Sequence, residues 1–574
     1  MAGQQPESGG ESRREITDDD IYGPEGVQDS SSIHIERDYG DLEEAPQTDE
    51  YPSHGNGEGF RIADLPKVPK LKSILGPSAL LYGASLGAGN TMFWPTLVAQ
   101  NGWGIYWAFW IGILTQFFIN TEMQRVAMAT GQSIFSAFGR LNRVWPWFFL
   151  VMGFFHLGWP GWAAGAAEVF AVWSGVVPRQ EWWIIGVAGM VFIWATYLSG
   201  PIVYNVIERV QLTFTTLAIV FAIVLIFVAG TGSQFAAIPA GATNFGALPA
   251  DMDIAVFLGG LAYAGSGGFN NLTMSIWARE KGWGMGAYQG RVKNPILGDD
   301  PEEIHSGFTF PPTEVNLQRW QKWWNNTQLE HFVTWVLGLL LVSTVVMTVA
   351  AQYASGTNQG AINMWVDVVI PQLGWLSTTL LYAIIFIALF GTQYASVEVF
   401  ARNTVDIVYE QYGRKHGWDV SRVFFGALTG FVLWGILIIG LQFEQPWILL
   451  VIGAAVAGLM MWPYIALTII YNTTQLPEHV QPGWGRVVAM WWATGFFGYF
   501  SVLLIGATLN NADFGLSFPM FETTLTVAGS GPGGYLLWLG ALAVQVYTMY
   551  VSAKAKVEKS GTIELAGITG GLLS

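Results

Sequence analysis

The 574-residue chain contains no cysteine, and only 12% of its residues are charged. The first absence excludes a disulfide framework, thiolate-held zinc or iron–sulfur clusters, and any cysteine nucleophile. The second leaves about half the charge of a soluble globular protein (roughly 25%), which over this length excludes an ordinary soluble fold. Basic residues are scarcer still, 26 against 41 acidic, giving a net charge of −15. A chain of that sign repels phosphate backbones, so no nucleic-acid partner is expected. Alternating ten-residue strand patterns are also missing, which excludes an outer-membrane barrel.

What is abundant is apolar: 52% hydrophobic residues, with 28 Trp and 36 Phe, and 69 Gly among them. Seventeen of the acidic residues fall within residues 1–73. Residues 1–60 are rich in Glu, Asp, Gly, Ser and Gln, and their composition predicts a disordered acidic cytoplasmic tail. No charged-then-apolar leader pattern opens it. A membrane domain is expected over 61–553. Within it, apolar stretches long enough to cross a bilayer recur twelve times, at 74–99, 104–128, 145–174, 182–203, 208–230, 254–278, 329–351, 373–400, 421–440, 446–472, 486–508 and 533–553. Residues 279–328 then form the longest cytoplasmic loop, and 554–574 a cytoplasmic C-terminal tail.

The basic residues test this count independently. With both termini cytoplasmic, 25 of the 26 Lys and Arg lie on the cytoplasmic side, and only Arg179 lies outside. A miscounted helix would scramble that asymmetry. Gly-Trp-Gly at 102–104, 282–284 and 483–485 reads as punctuation at the membrane interface.

Two spans are unusual. The first contains Gly83, Gly87, Gly89 and Asn90; the sixth contains Gly265, Ser266, Gly267, Gly268, Asn270 and Asn271. Each glycine weakens a helix by roughly 1 kcal/mol against alanine, and backbone freed within lipid must find protein partners. One alternative is a small-residue face for helix packing, since Gly83 and Gly87 have Gly-xxx-Gly spacing. The other is a matched pair of broken helices, as an inverted five-plus-five repeat produces around a midplane binding site. On that reading the substrate-binding candidates are Gly87, Gly89, Asn90, Gly265, Ser266, Asn270 and Asn271.

Several stretches resemble a divergent prokaryotic branch of the Nramp metal-ion transporter family. They are the first break, Gly267–Asn271 with Arg279–Gly286, and the run Asn316–Trp324. Trp159-Pro160-Gly161-Trp162, Thr392-Gln393 with Arg402 and Asp406, and Asn472-Thr473-Thr474 with Leu476-Pro477 add to them. Together they span about residues 70–510. The resemblance implies a leucine-transporter-like fold and ion-coupled transport of a divalent cation, with Asn90 as its metal ligand. Where the family carries Asp-Pro-Gly-Asn, this chain has Gly87-Ala88-Gly89-Asn90, and no Met, Pro or His lies between Gly265 and Asn271.

Ionisable groups inside the membrane are costly and invite a role. His156 and Glu168 lie twelve residues apart in the third span, about 18 Å along a helix, so they are not a direct pair. Each is a candidate for coupling or gating, against a structural alternative. Glu122 with Arg125, and Glu398 with Arg402, have the spacing of intrahelical ion pairs, which suits a structural or gating role. Gln393, one turn deeper than Glu398, is a further binding candidate, because the eighth helix lines the path in this fold class.

The sequence therefore predicts an all-α polytopic membrane protein of about twelve spans. Its five-plus-five leucine-transporter-like core would comprise helices 1–5 (about 74–230) and 6–10 (about 254–472), followed by helices 11–12 (about 486–553). The expected function is secondary active transport of a cation in the cell membrane, with a small organic solute such as an amino acid as the alternative. A non-transporting sensor using the acidic tail is a third reading. The expected partners are the bilayer and the small ion or solute, with no resident cofactor. No nucleophile–base constellation suggests an enzyme.

Overall fold

The computed structural model describes residues 16–23, 27–28, 33–249, 254–294, 303–511 and 532–560. All twelve expected spans are helical, and Arg125 of the second, Arg486 of the eleventh and the end of the tenth meet at Glu122 on one face. The N-terminal segment and the C-terminal helix reach that same face. Ser53 N–H donates to the Gln475 carbonyl and Lys559 Nζ to the Thr474 carbonyl, both at the end of the tenth span. Arg179 lies on the opposite face with Glu168 and Asp367.

Among the described residues, seven helices are long and apolar enough to cross a membrane on those grounds alone, and these belong to the fifth and the seventh to twelfth spans. The other five are interrupted, short or polar; the first, second and sixth are buried in the interior, where protein replaces lipid as their solvent, whereas the fourth is simply short. The second span, Tyr106–Thr130, buries Gln116, Asn120, Thr121, Glu122 and Gln124. The fourth, Trp182–Tyr197, has 16 residues. The third divides into Val144–Leu157 and Gly161–Ser174 around Gly158-Trp159-Pro160. Lacking an N–H, Pro160 cannot continue the first helix, and it stands at the N-cap of the second.

Three expectations need correction. The acidic segment is not disordered over residues 33–60. Phe60 and Leu65 are fully buried, and Arg61–Ile62 pairs in parallel with Phe308–Thr309. A few anchors spaced along a polar stretch are averaged away by composition, yet they suffice once a surface exists to receive them. Residues 1–15, 24–26 and 29–32 of that segment lie outside the described residues. The loop expected over 279–328 is also shorter, because the seventh span begins at Glu314 and runs to Tyr353, with a wide turn at Phe332–Leu337. Asn316–Trp324 therefore sits on a helix. Finally, Trp283 is not exposed at a surface: it is fully buried in protein and donates to the Ile74 carbonyl at 3.2 Å.

Candidate functional site

The first span consists of Pro77–Ser85 and Trp94–Asn101, joined through a turn at Leu86-Gly87 and a widened turn at Gly89–Phe93. The sixth consists of Ile254–Ala264 and Phe269–Lys281, separated by Gly265–Gly268. Gly268 has φ +70°, a conformation that side chains with a Cβ rarely adopt. The two breaks touch through backbone: a Cβ on Gly89 would lie 1.8 Å from the Tyr263 carbonyl oxygen.

Broken helices leave donors and acceptors without intrahelical partners, and burial obliges other groups to supply them. Gln116, from the second span, serves both ends of the sixth-span break. Its Oε1 accepts from Ser266 N–H at 2.9 Å and Gly267 N–H at 3.2 Å, while its Nε2 donates to the Leu261 and Ala262 carbonyls at 2.9 and 3.0 Å. Asn90 does the same for the first span, donating to the Ser85 carbonyl at 2.7 Å and the Tyr263 carbonyl at 3.1 Å. Its Oδ1 accepts from Ser343 at 2.7 Å. Ser85 and Ser266 hydroxyls bond to each other across the two breaks, and Trp335 Nε1 donates to Ser85 at 3.0 Å.

His156 caps the second half of the sixth span. Its Nδ1 accepts from Phe269 N–H at 3.1 Å, so the neutral ring carries hydrogen on Nε2, which lies 2.8 Å from the Tyr263 hydroxyl. Gln393 caps the second half of the third span in the same way, accepting from Ala163 N–H at 3.2 Å. Its Nε2, Asn270 Oδ1 and Asn271 Oδ1 are buried without a hydrogen-bond partner. Trp162 Nε1, on a ring 5.7 Å from that of Tyr263, and Gln211 Oε1, beside Gly83, are likewise buried without a partner.

Replacing Gln116 with Leu is therefore expected to strand two N–H groups and two carbonyls at once. Each buried unsatisfied group costs about 1–3 kcal/mol. Thermal unfolding in detergent should show a clearly lower midpoint, and an unchanged midpoint would mean that Gln116 does not hold the break.

The other charged candidates lie away from the breaks. Glu168 pairs with Arg179 at 2.7 Å, and Arg179 also reaches Asp367 and Asn363, making a cluster on the face opposite the basic one. On the basic face, Glu122 is fully buried between Arg125 at 2.8 Å and Arg486 at 3.0 Å, and it also accepts from Asn472 Nδ2 at 2.9 Å. Both guanidinium groups lie over the Trp324 ring, at 3.9 and 4.6 Å from its centroid. Glu398 bonds to Arg402 and accepts from Trp277 at 3.1 Å, and Arg402 also meets Glu280 at 2.9 Å. Arg279–Asp406 and Lys281–Glu208 complete this girdle.

Sequence reasoning missed Gln116, Ser85, Tyr263 and Ser343 because none belongs to a motif. The signal for Gln116 was its place among Thr115, Asn120 and Thr121 in an otherwise apolar helix. A second omission is Glu330, fully buried on the seventh span and bonded to Ser78, whose hydroxyl also lies 2.8 Å from His331 Nδ1. His331 Nε2 meets Asn120 at 3.2 Å, and Asn120 in turn bonds to Asn271. Hydropathy places the seventh span's start at 329, which disguised Glu330 as a boundary residue.

No family model and no curated protein sequence matches the chain. Solved structures do match. A manganese transporter of Eremococcus coleocola, in complex with an aromatic bis-isothiourea compound, superposes with a TM-score of 0.58 at 10% identity, covering 85% of this chain and 94% of that one. A mutant form of the same transporter gives 0.57 at 10% identity, over 85% and 95%. Mhp1, a nucleobase-cation-symport-1 family transporter with bromovinylhydantoin bound, gives 0.45 at 12% identity, over 86% and 94%. The chain is an all-α polytopic membrane protein with a leucine-transporter-like core and broken helices 1 and 6.

Proposed function

We propose that the chain is a secondary transporter that carries a cation across the cell membrane by alternating access, with both termini cytoplasmic. One observation carries this reading: the first and sixth spans are both broken, and their breaks touch each other in the interior of the helix bundle. That arrangement exposes backbone dipoles at mid-membrane, where a solute can exchange for the contacts that now close it. The asymmetry of basic residues supports the orientation.

A divalent metal ion is the first substrate proposed. The resemblance to the Nramp family and the shared fold with a manganese transporter support it. Asn90, Ser85, Ser266 and the surrounding carbonyls would offer neutral oxygen donors, which suit hard ions such as Mg²⁺ and Mn²⁺. Among the described residues no three His, Cys, Asp or Glu side chains converge into a metal site. The ion would therefore keep much of its hydration. Reconstituted into proteoliposomes, the protein should take up radiolabelled Mn²⁺ or Mg²⁺, and Asn90→Ala should reduce uptake strongly. If neither ion enters and Asn90→Ala leaves ion binding unaltered, the metal reading falls.

The lack of a carboxylate at the breaks favours a second reading, a small organic solute such as an amino acid. Its own carboxylate would be received by the half-helix N-termini, and Gln393 Nε2, Asn270 and Asn271 would read its polar groups. A thermal-shift series with metals and with amino acids separates the two, because a ligand stabilises the form that binds it.

A further inference from the structure

The basic face holds a polar cavity of about 250 Å³ that the transport reading does not use. Its walls come from four places: the N-terminal segment at Asn56–Glu58, the connector between the second and third spans, Ser306 in the connector between the sixth and seventh, and the end of the eighth span at Glu410–Lys415. Four cations line it, Arg140, Arg143, Arg414 and Lys415, against two carboxylates, Glu58 and Glu410.

The pairing within this set is uneven. Both carboxylates are engaged by Arg414. Arg140 is 4% exposed and receives only neutral partners. Its Nη1 donates to the His54 and Glu58 carbonyls at 2.6 and 2.8 Å, its Nη2 to the Ser306 carbonyl at 3.3 Å, and its Nε to Gln132 at 3.0 Å. The guanidinium lies over the Phe60 ring, 4.1 Å from the centroid. Among the described residues, Arg143 and Lys415 have no ion-pair partner. The cavity therefore holds four cations against two carboxylates: Arg140 is buried and hydrogen-bonded only to neutral groups, with Glu410 and Glu58 nearby, and Arg143 and Lys415 are exposed. A buried charge is normally paired, and phosphate oxygens form the strongest hydrogen bonds with guanidinium groups.

We infer that this cavity is a binding site for a phosphate group, which would tie the N-terminal segment to the cytoplasmic ends of the second, third and eighth spans. The phosphate comes from a free small anion or from the headgroup of an anionic phospholipid, since Arg143 and Lys415 lie at the end of the membrane helices. The inference does not depend on the transport reading.

The test uses the full chain and the double variant Arg143→Ala/Lys415→Ala, whose side chains are exposed and unpaired, so both proteins should fold. In detergent, inorganic phosphate is compared with chloride at equal ionic strength. In nanodiscs, phosphatidylglycerol is compared with phosphatidylcholine. A phosphate-dependent rise of a few degrees in the unfolding midpoint of the wild type, lost in the double variant, identifies a soluble ligand. A rise only in phosphatidylglycerol, again lost in the variant, identifies the lipid headgroup. If neither raises the wild-type midpoint above that of the variant, the site does not exist. Equal rises in both proteins also overturn it, since they would reflect general salt or lipid effects.

Discussion

Gly89→Ala should abolish transport and lower the thermal midpoint, although it adds a single methyl group. The added Cβ would sit 1.8 Å from the Tyr263 carbonyl oxygen and 2.4 Å from the Tyr263 Cβ. No rotamer relieves this, because the nearest atom is backbone. The first and sixth spans would have to move apart by more than an ångström (about 1.5 Å to reach ordinary contact), at a cost of about 1–3 kcal/mol and occasionally more. That displacement would also break the Asn90 bond to the Tyr263 carbonyl, which joins the two spans. Gly430→Ala, in the ninth span, is the matched control. Nothing lies within 4 Å of its added Cβ, and helix propensity predicts a gain of up to ~1 kcal/mol. Wild-type uptake and an unchanged midpoint in Gly89→Ala would show that the breaks are not in close contact.

The second large effect is expected at Glu122. Its carboxylate is wholly buried and is shared by Arg125, Arg486 and Asn472. Glu122→Leu keeps the volume but strands two buried guanidinium groups, and breaking such a pair costs about 3–5 kcal/mol. The variant should unfold well below the wild type in detergent. Arg486→Met placed on top of Glu122→Leu removes one stranded charge, so the double variant should be more stable than Glu122→Leu alone. A coupling of zero between the two positions in thermal unfolding would contradict the geometry.

These cases mark how far the sequence could be read. The twelve spans were legible because lipid imposes a length and a composition on any helix it touches, and the basic residues report the topology independently. The breaks were legible because glycine clusters and amides are anomalous within an apolar run. The ion pairs of Glu122 and Glu398 with the arginines one turn away were legible because they are local in sequence. Everything that required two distant segments to meet was not. His156 reads as an isolated mid-membrane histidine, and only the fold shows it capping Phe269, 113 residues away. Glu168 carries no hint that Arg179 is its partner, or that Arg179 also holds Asp367. The N-terminal segment reads as disordered because Phe60 and Leu65 are too few to form a core of their own.

The sequence alone determined that this is a helical membrane protein of about twelve spans with two weakened helices, because hydrophobic length, charge asymmetry and glycine content act locally. Only the tertiary structure decided how those helices remain broken. Gln116, Asn90 and His156 satisfy the freed backbone from neighbouring elements, and a hydrogen bond across more than a hundred residues leaves no periodic trace in the chain. The missing charge that first identified a membrane protein has the same explanation at the breaks: neutral amides and hydroxyls close them, and Glu122, Glu168 and Glu398 are drawn into ion pairs away from them.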